Sequence, residues 1–215
     1  MTTVLKRLQP CLTRLFGFSL LLLSLSASAQ TNFNYNQLQA QFGLAKFDPA
    51  IQISHNQSRD EYTTLPIWGL SASYQNRYGL IFSASHTQGN LATDNTSIQT
   101  SGYGFKVGYA IGVRQQLDIY GHLGQFYNQA EACNQIDCAR VNKQSQGVDF
   151  GFRAGAYYWL EWGMNLRSQG IFSETETHSL GAHSAIWIDR HSSLAANLLI
   201  SEESYAMTLG YRFAF

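Results

Sequence analysis

The 215-residue sequence has only 3 prolines and 3 cysteines, and just 13% of its residues are charged. No stretch beyond residue 29 approaches the roughly eighteen consecutive apolar residues of a membrane-crossing helix, so helical spans are excluded for that region. A strong excess of one charge is also missing: Lys+Arg and Asp+Glu both number 14. That balance gives no support to nucleic-acid binding. There is no Pro/Ser linker, charge block or low-complexity tract to divide the chain, and the length allows one domain. What is abundant is glycine, 18 residues, together with 12 Tyr, 13 Phe and 4 Trp.

The amino-terminal region has three parts: a basic start with Lys6, Arg7 and Arg14, an apolar stretch from Leu15 to Leu25, and the small-residue end Ala27-Ser28-Ala29. This pattern predicts a cleavable signal peptide over 1–29 and a mature domain over 30–215. A signal anchor is the alternative, but the apolar run is short for that role. Cys11 lies within the leader and does not follow the cleavage site, so no lipoprotein anchor is expected. Cleavage would remove three basic residues and no acidic one, leaving 11 Lys+Arg against 14 Asp+Glu and two cysteines, Cys133 and Cys138.

Periodicity then points to strands. From Tyr205 to Phe215 one face reads Tyr205, Met207, Leu209, Tyr211, Phe213, Phe215, and the other reads Ala206, Thr208, Gly210, Arg212, Ala214. The same alternation runs through Tyr103–Ile111 and Val148–Tyr158, where the second face mixes glycine with Lys106, Asp149 and Arg153. Weaker versions begin at Leu38, Trp68, Tyr78, Leu117, Trp162, Leu180 and Leu194. These lengths suit transmembrane strands of about 9–11 residues, apolar toward lipid and polar toward a lumen. The count is ten; merging weak segments after residue 160 would give eight. A soluble sandwich with the apolar faces inside is the competing arrangement.

The connections supply a further constraint. They alternate between long (44–64, 88–98, 128–145) and short (75–77, 112–115, 159–161), as expected of a barrel with short periplasmic turns and longer outer loops. Tyr74, Tyr78, Tyr158, Trp159, Trp162, Phe213 and Phe215 fall near the periplasmic ends, where a girdle of amphipathic rings would lie. Together these features predict an all-β, closed antiparallel transmembrane barrel in the bacterial outer membrane.

A leader followed by alternating strands and the closing Tyr211-Arg212-Phe213-Ala214-Phe215 resembles the small outer-membrane β-barrel proteins, the OmpA-like group in the broad sense. The resemblance covers the mature chain as an architecture, and its one local motif is the last strand. It implies that Tyr211, Phe213 and Phe215 form the signal read by the outer-membrane insertion machinery of a Gram-negative cell. No periplasmic peptidoglycan-binding domain is expected after the barrel, so that tethering role does not carry over.

Few residues suggest chemistry. Cys133 and Cys138 lie in an exported loop, where a disulfide is expected; a metal site would want more ligands, and a redox pair closer spacing. No metal or cofactor is expected. The inward faces hold Lys106, Asp118, His122, Asp149, Arg153, Asn165, Arg167, His183 and Arg212, which in so narrow an interior should pair as a buried polar network. A narrow, porin-like pore with a basic lining is the alternative. Ser85, His86, His178, His183, Glu174 and Glu176 are the types a rim hydrolase or acyltransferase would need, yet such residues occur scattered in most chains. The expected role is non-catalytic: a monomeric structural or surface-interaction protein, contacting lipid and lipopolysaccharide and binding an unknown external ligand through its loops.

Overall fold

The computed structural model describes residues 32–55, 58–171 and 176–215. The leader read over 1–29 lies outside the described residues, as does Glu174. Among the described residues there are ten strands: β1 (Gln37–His55), β2 (Ser58–Gln75), β3 (Leu80–Ala92), β4 (Thr96–Arg114), β5 (Leu117–Asn134), β6 (Cys138–Tyr157), β7 (Leu160–Gln169), β8 (Thr177–Trp187), β9 (Ser192–Ser201) and β10 (Ser204–Ala214). Each pairs antiparallel with its sequence neighbours, and β1 closes onto β10 through the register Gln37↔Ala214 to Phe47↔Ser204. Ten strands, not eight, make the barrel. Closure removes the strand edges that hydrocarbon could not satisfy.

The faces decide between membrane barrel and soluble sandwich. Phe42, Leu123, Phe150, Leu166 and Leu209 are 69%, 69%, 60%, 63% and 70% exposed, whereas Asp118, Asp149, Arg153, Glu161 and Arg212 are 4% or less. Apolar groups thus form the outside and charges the inside, the inverse of a water-soluble core. On the outer side this apolar band ends along one cross-strand row. His86 pairs with Tyr103, Tyr103 with Tyr127 and Tyr127 with Gln144. His86 stacks on Tyr103 with ring centroids 4.5 Å apart and meets Trp68 edge-on at 5.3 Å. Beyond the row, β4 to β6 present Gln99, Gln129, Glu131, Arg140 and Asn142, consistent with the lipid boundary lying there.

One expectation is corrected. Residues 44–64, 88–98 and 128–145, read as long loops, are mostly strand, because β1–β2, β3–β4 and β5–β6 continue as paired hairpins to turns of a few residues. Outside lipid neither face of a hairpin must be apolar, so the period-two signal fades although the ladder persists. Ile53, Tyr62, Leu65 and Ile98 form a small buried core above the membrane, backed by Phe47, Ile51, Ile67, Leu91 and Ala132. It joins the β1–β2 hairpin to β4 and β5. The β7–β8 and β9–β10 hairpins are shorter, with strands of 10 or 11 residues.

Candidate functional site

The lumen is organised around two carboxylates. Glu161, at the start of β7 and 1% exposed, accepts from Arg153 of β6 at 3.1 Å (Nε to Oε1) and 2.7 Å (Nη2 to Oε2). Arg212 of β10 donates to the same carboxylate at 2.8 Å, and His183 Nε2 of β8 lies 3.7 Å from it. Arg212 also donates to Gln39 of β1 at 3.2 Å, so this cluster reaches across the closing seam. Farther out, Asp149 of β6 accepts from Lys106 of β4 at 2.9 Å, from Asn165 at 2.6 Å and from Arg167 at 3.4 Å, the last two on β7. Such charge-assisted bonds are the strong ones where water is scarce.

Further packed groups lie toward each end of the lumen. At the periplasmic end the segment before β1 turns into the mouth, where the Asn32 backbone N–H and side-chain amide donate to Asp118 at 2.9 and 2.8 Å. Arg153 donates to the Asn34 carbonyl at 3.2 Å, and its guanidinium lies 5.0 and 4.7 Å from the Phe33 and Tyr35 ring centroids. Tyr35, Ile81 and Ala110 form a small buried cluster there. The outer end lies beneath the Ile53, Tyr62, Leu65, Ile98 core. Between them is a chamber of about 390 Å³ with a charged wall that includes Lys106, Asp149 and Arg167 and a neutral wall that includes Gln39, Gln41, Ser71 and Ser83. His122 also lines it, tilted against the Tyr120 ring at 5.1 Å.

The residues singled out from sequence fall into separate groups. Lys106, Asp149 and Arg167 meet at one centre, and Arg153, His183 and Arg212 at the other, while Asp118 holds the amino-terminal segment. Cys133 and Cys138 are bonded to each other at the tip of the β5–β6 hairpin. Tyr211, Phe213 and Phe215 are exposed at the periplasmic end, Tyr211 donating to Ser192 at 2.8 Å. Among the described rim candidates, His86 stacks on Tyr103 at the outer boundary, Glu176 accepts from Ser168, which pairs across the strands with His178, and His183 belongs to the Glu161 cluster. Glu161 itself, the centre of the lumen, reads in the sequence as part of a turn at 159–161. Its only sequence signal is its place one residue before the outward-facing Trp162, which puts it on the inner face.

An apolar exterior, a closed ladder and a charge-paired interior define a transmembrane β-barrel of the bacterial outer membrane. The sequence profile of the outer membrane protein beta-barrel domain matches residues 18–213, and the chain belongs to that family. No curated protein sequence matches it. Similar solved structures include Ail, the attachment invasion locus protein of Yersinia pestis, at 12% identity over 83% of this chain and 99% of that one, TM-score 0.39. The neisserial surface protein A shares 14% identity over 83% and 96%, TM-score 0.43. The N-terminal barrel of Pseudomonas aeruginosa OprF shares 12% over 85% and 100%, TM-score 0.42.

Proposed function

We propose that this protein is a non-catalytic, monomeric outer-membrane barrel whose working part is the β-sheet wall formed outside the cell by the β1–β2, β3–β4 and β5–β6 hairpins. The observation that carries this reading is the extent of those hairpins. Strand β6 runs nine residues beyond its outermost pair with β7, Gly147↔Gln169. That is about 30 Å of strand at the usual rise. A structural barrel needs no such extension, because about 9–11 residues span the bilayer. The extension is also ordered: the Arg140–Glu131 pair at 3.0 Å, the Cys133–Cys138 bond and the packed core above the membrane hold its shape. A rigid wall carries a recognition surface with less ordering entropy lost on binding than a loose loop. In the same reading the base of the wall contacts lipopolysaccharide, and Tyr211, Phe213 and Phe215 serve as the insertion signal.

Replacing residues 129–143 by a short Gly-Asn turn tests this. The truncated barrel should keep its folded band on an unboiled gel, because β5 and β6 remain paired through the membrane. Cells expressing it should lose the adherence to immobilised matrix proteins and polysaccharides that wild type confers. Equal adherence of both strains, at equal surface amounts, would refute a recognition role for the wall.

A further inference from the structure

The short-turn end of the barrel holds a second concavity, which borders the lumen network at Glu161 and lies apart from the outer hairpins. It measures about 610 Å³, within the roughly 300–1,000 Å³ of sites for small ligands. Its walls come from four places: the amino-terminal segment at Asn32–Asn34, the β4–β5 turn at Gln116, the β6–β7 turn, and the β8–β9 turn. In outer-membrane barrels short turns face the periplasm, so the concavity opens toward the cell wall.

Tyr158 and Ile188 at its edge are strongly exposed as girdle groups would be, but Trp159, read from the sequence as a girdle ring, lines the concavity with Tyr157 and Trp187. Trp187 lies between Ile186 and Ile188, which face outward at 52% and 63% exposure, and it pairs with Ser193, which is fully buried. By alternation its indole therefore turns to the mouth. Trp159 is tied to this residue, its carbonyl accepting from the Trp187 N–H at 2.8 Å. The Trp159 ring lies parallel to that of Tyr157, with planes 3° apart and centroids 5.5 Å apart. All three rings line the concavity, whereas an anchoring role in lipid accounts well for Trp162.

Polar groups surround these rings. Gln116, exposed and held at a positive φ of 66°, offers an amide, and Arg190 offers a guanidinium. The backbone N–H groups of His191 and Ser192 both donate to Asp189 Oδ1 at 2.7 Å, which holds that carboxyl below the usual carboxylate range. A parallel ring pair flanked by an amide, a carboxylate and a guanidinium matches the two faces of a sugar: C–H groups that stack on rings, and hydroxyl and acetamido groups that take hydrogen bonds. The exposed Asp189 carboxylate disfavours a phosphate-rich ligand, and the polar rim disfavours a lipid tail.

We infer that this periplasmic concavity binds glycan, specifically the acetamido-sugar chain of the cell wall. The barrel then touches the wall through its own turns.

The test uses the full mature barrel in lipid nanodiscs, with purified peptidoglycan sacculi in a co-sedimentation assay and a soluble tetrasaccharide of N-acetylglucosamine as competitor. Wild type should sediment with sacculi and be displaced by the tetrasaccharide. Trp159→Ala and Arg190→Ala, each first shown to give the folded band, should weaken retention about tenfold, the scale of one lost stacking or charge-assisted contact. Trp159→Phe should keep most of it, and Trp68→Phe at the opposite boundary should change nothing. Failure of wild type to sediment would overturn the assignment. So would undiminished retention of both alanine variants, or displacement by an aromatic-rich peptide and not by the sugar.

Discussion

Replacing Glu161 by glutamine is expected to destabilise the barrel by about 3–5 kcal/mol, the cost of leaving a buried ion group uncompensated. The side chain is nearly isosteric, so packing barely changes; what is lost is the charge that Arg153 and Arg212 share at 2.7 and 2.8 Å. Both guanidinium groups are about as buried as Glu161, with side chains 5% exposed. Urea unfolding of the refolded barrel, followed by the loss of the fast or slow band on an unboiled gel, measures the effect. The control is a triple variant, Glu161→Leu with Arg153→Met and Arg212→Met, which removes all three charges and should recover most of the loss. An unchanged midpoint for Glu161→Gln would mean that water already screens the cluster.

The second large effect is steric. Gly43 of β1 faces inward at the closing seam opposite Thr208, and a Cβ there would lie 1.8 Å from the Met207 carbonyl oxygen and 2.7 Å from the Thr208 Cα. Backbone cannot yield as a side-chain end can, so Gly43→Ala should force β1 away from β10. We expect about 3 kcal/mol or more of destabilisation, beyond ordinary overpacking, and a marked loss of folded band. Gly121→Ala is the matched control: its Cβ would find only Phe150 Cδ2, at 3.8 Å. If the two alanine variants refold equally well, the close approach at the seam is not a constraint on closure.

Much of this architecture is legible in the sequence because lipid imposes a strict rule on it. An outward residue within the bilayer must be apolar, so each of the ten strands shows its apolar face in the letters, from Leu38, Ala40 and Phe42 to Phe213 near the end of the chain. The rule lapses outside the bilayer. There Gln129, Arg140 and Asn142 face outward and Ala130 faces Val141 across the hairpin, so nothing in residues 128–145 distinguishes an extended hairpin from a loop. The inner face is legible as to type but not partner. Lys106, Asp149, Arg153 and Arg212 can be assigned to the lumen by alternation, yet Glu161 and Arg212, 51 residues apart, meet only through barrel closure. The segment Asn32–Tyr35 escapes notice for the same reason, since its partners Asp118 and Arg153 are brought to the mouth by strands far along the chain.

Working from the wall and not from the lumen requires that the lumen be shut, and this is open to direct test. Asn32–Tyr35 at one end, two ion clusters across the middle and the Ile53, Tyr62, Leu65, Ile98 core toward the other narrow the lumen around its chamber, and in the proposed reading they block ion flow. The decisive measurement is the conductance of the refolded wild-type barrel in a planar lipid bilayer. We expect insertion, confirmed by protease protection of the membrane strands, with no discrete current steps. Regular steps of uniform size from the wild-type protein would contradict a closed lumen and make this a small pore.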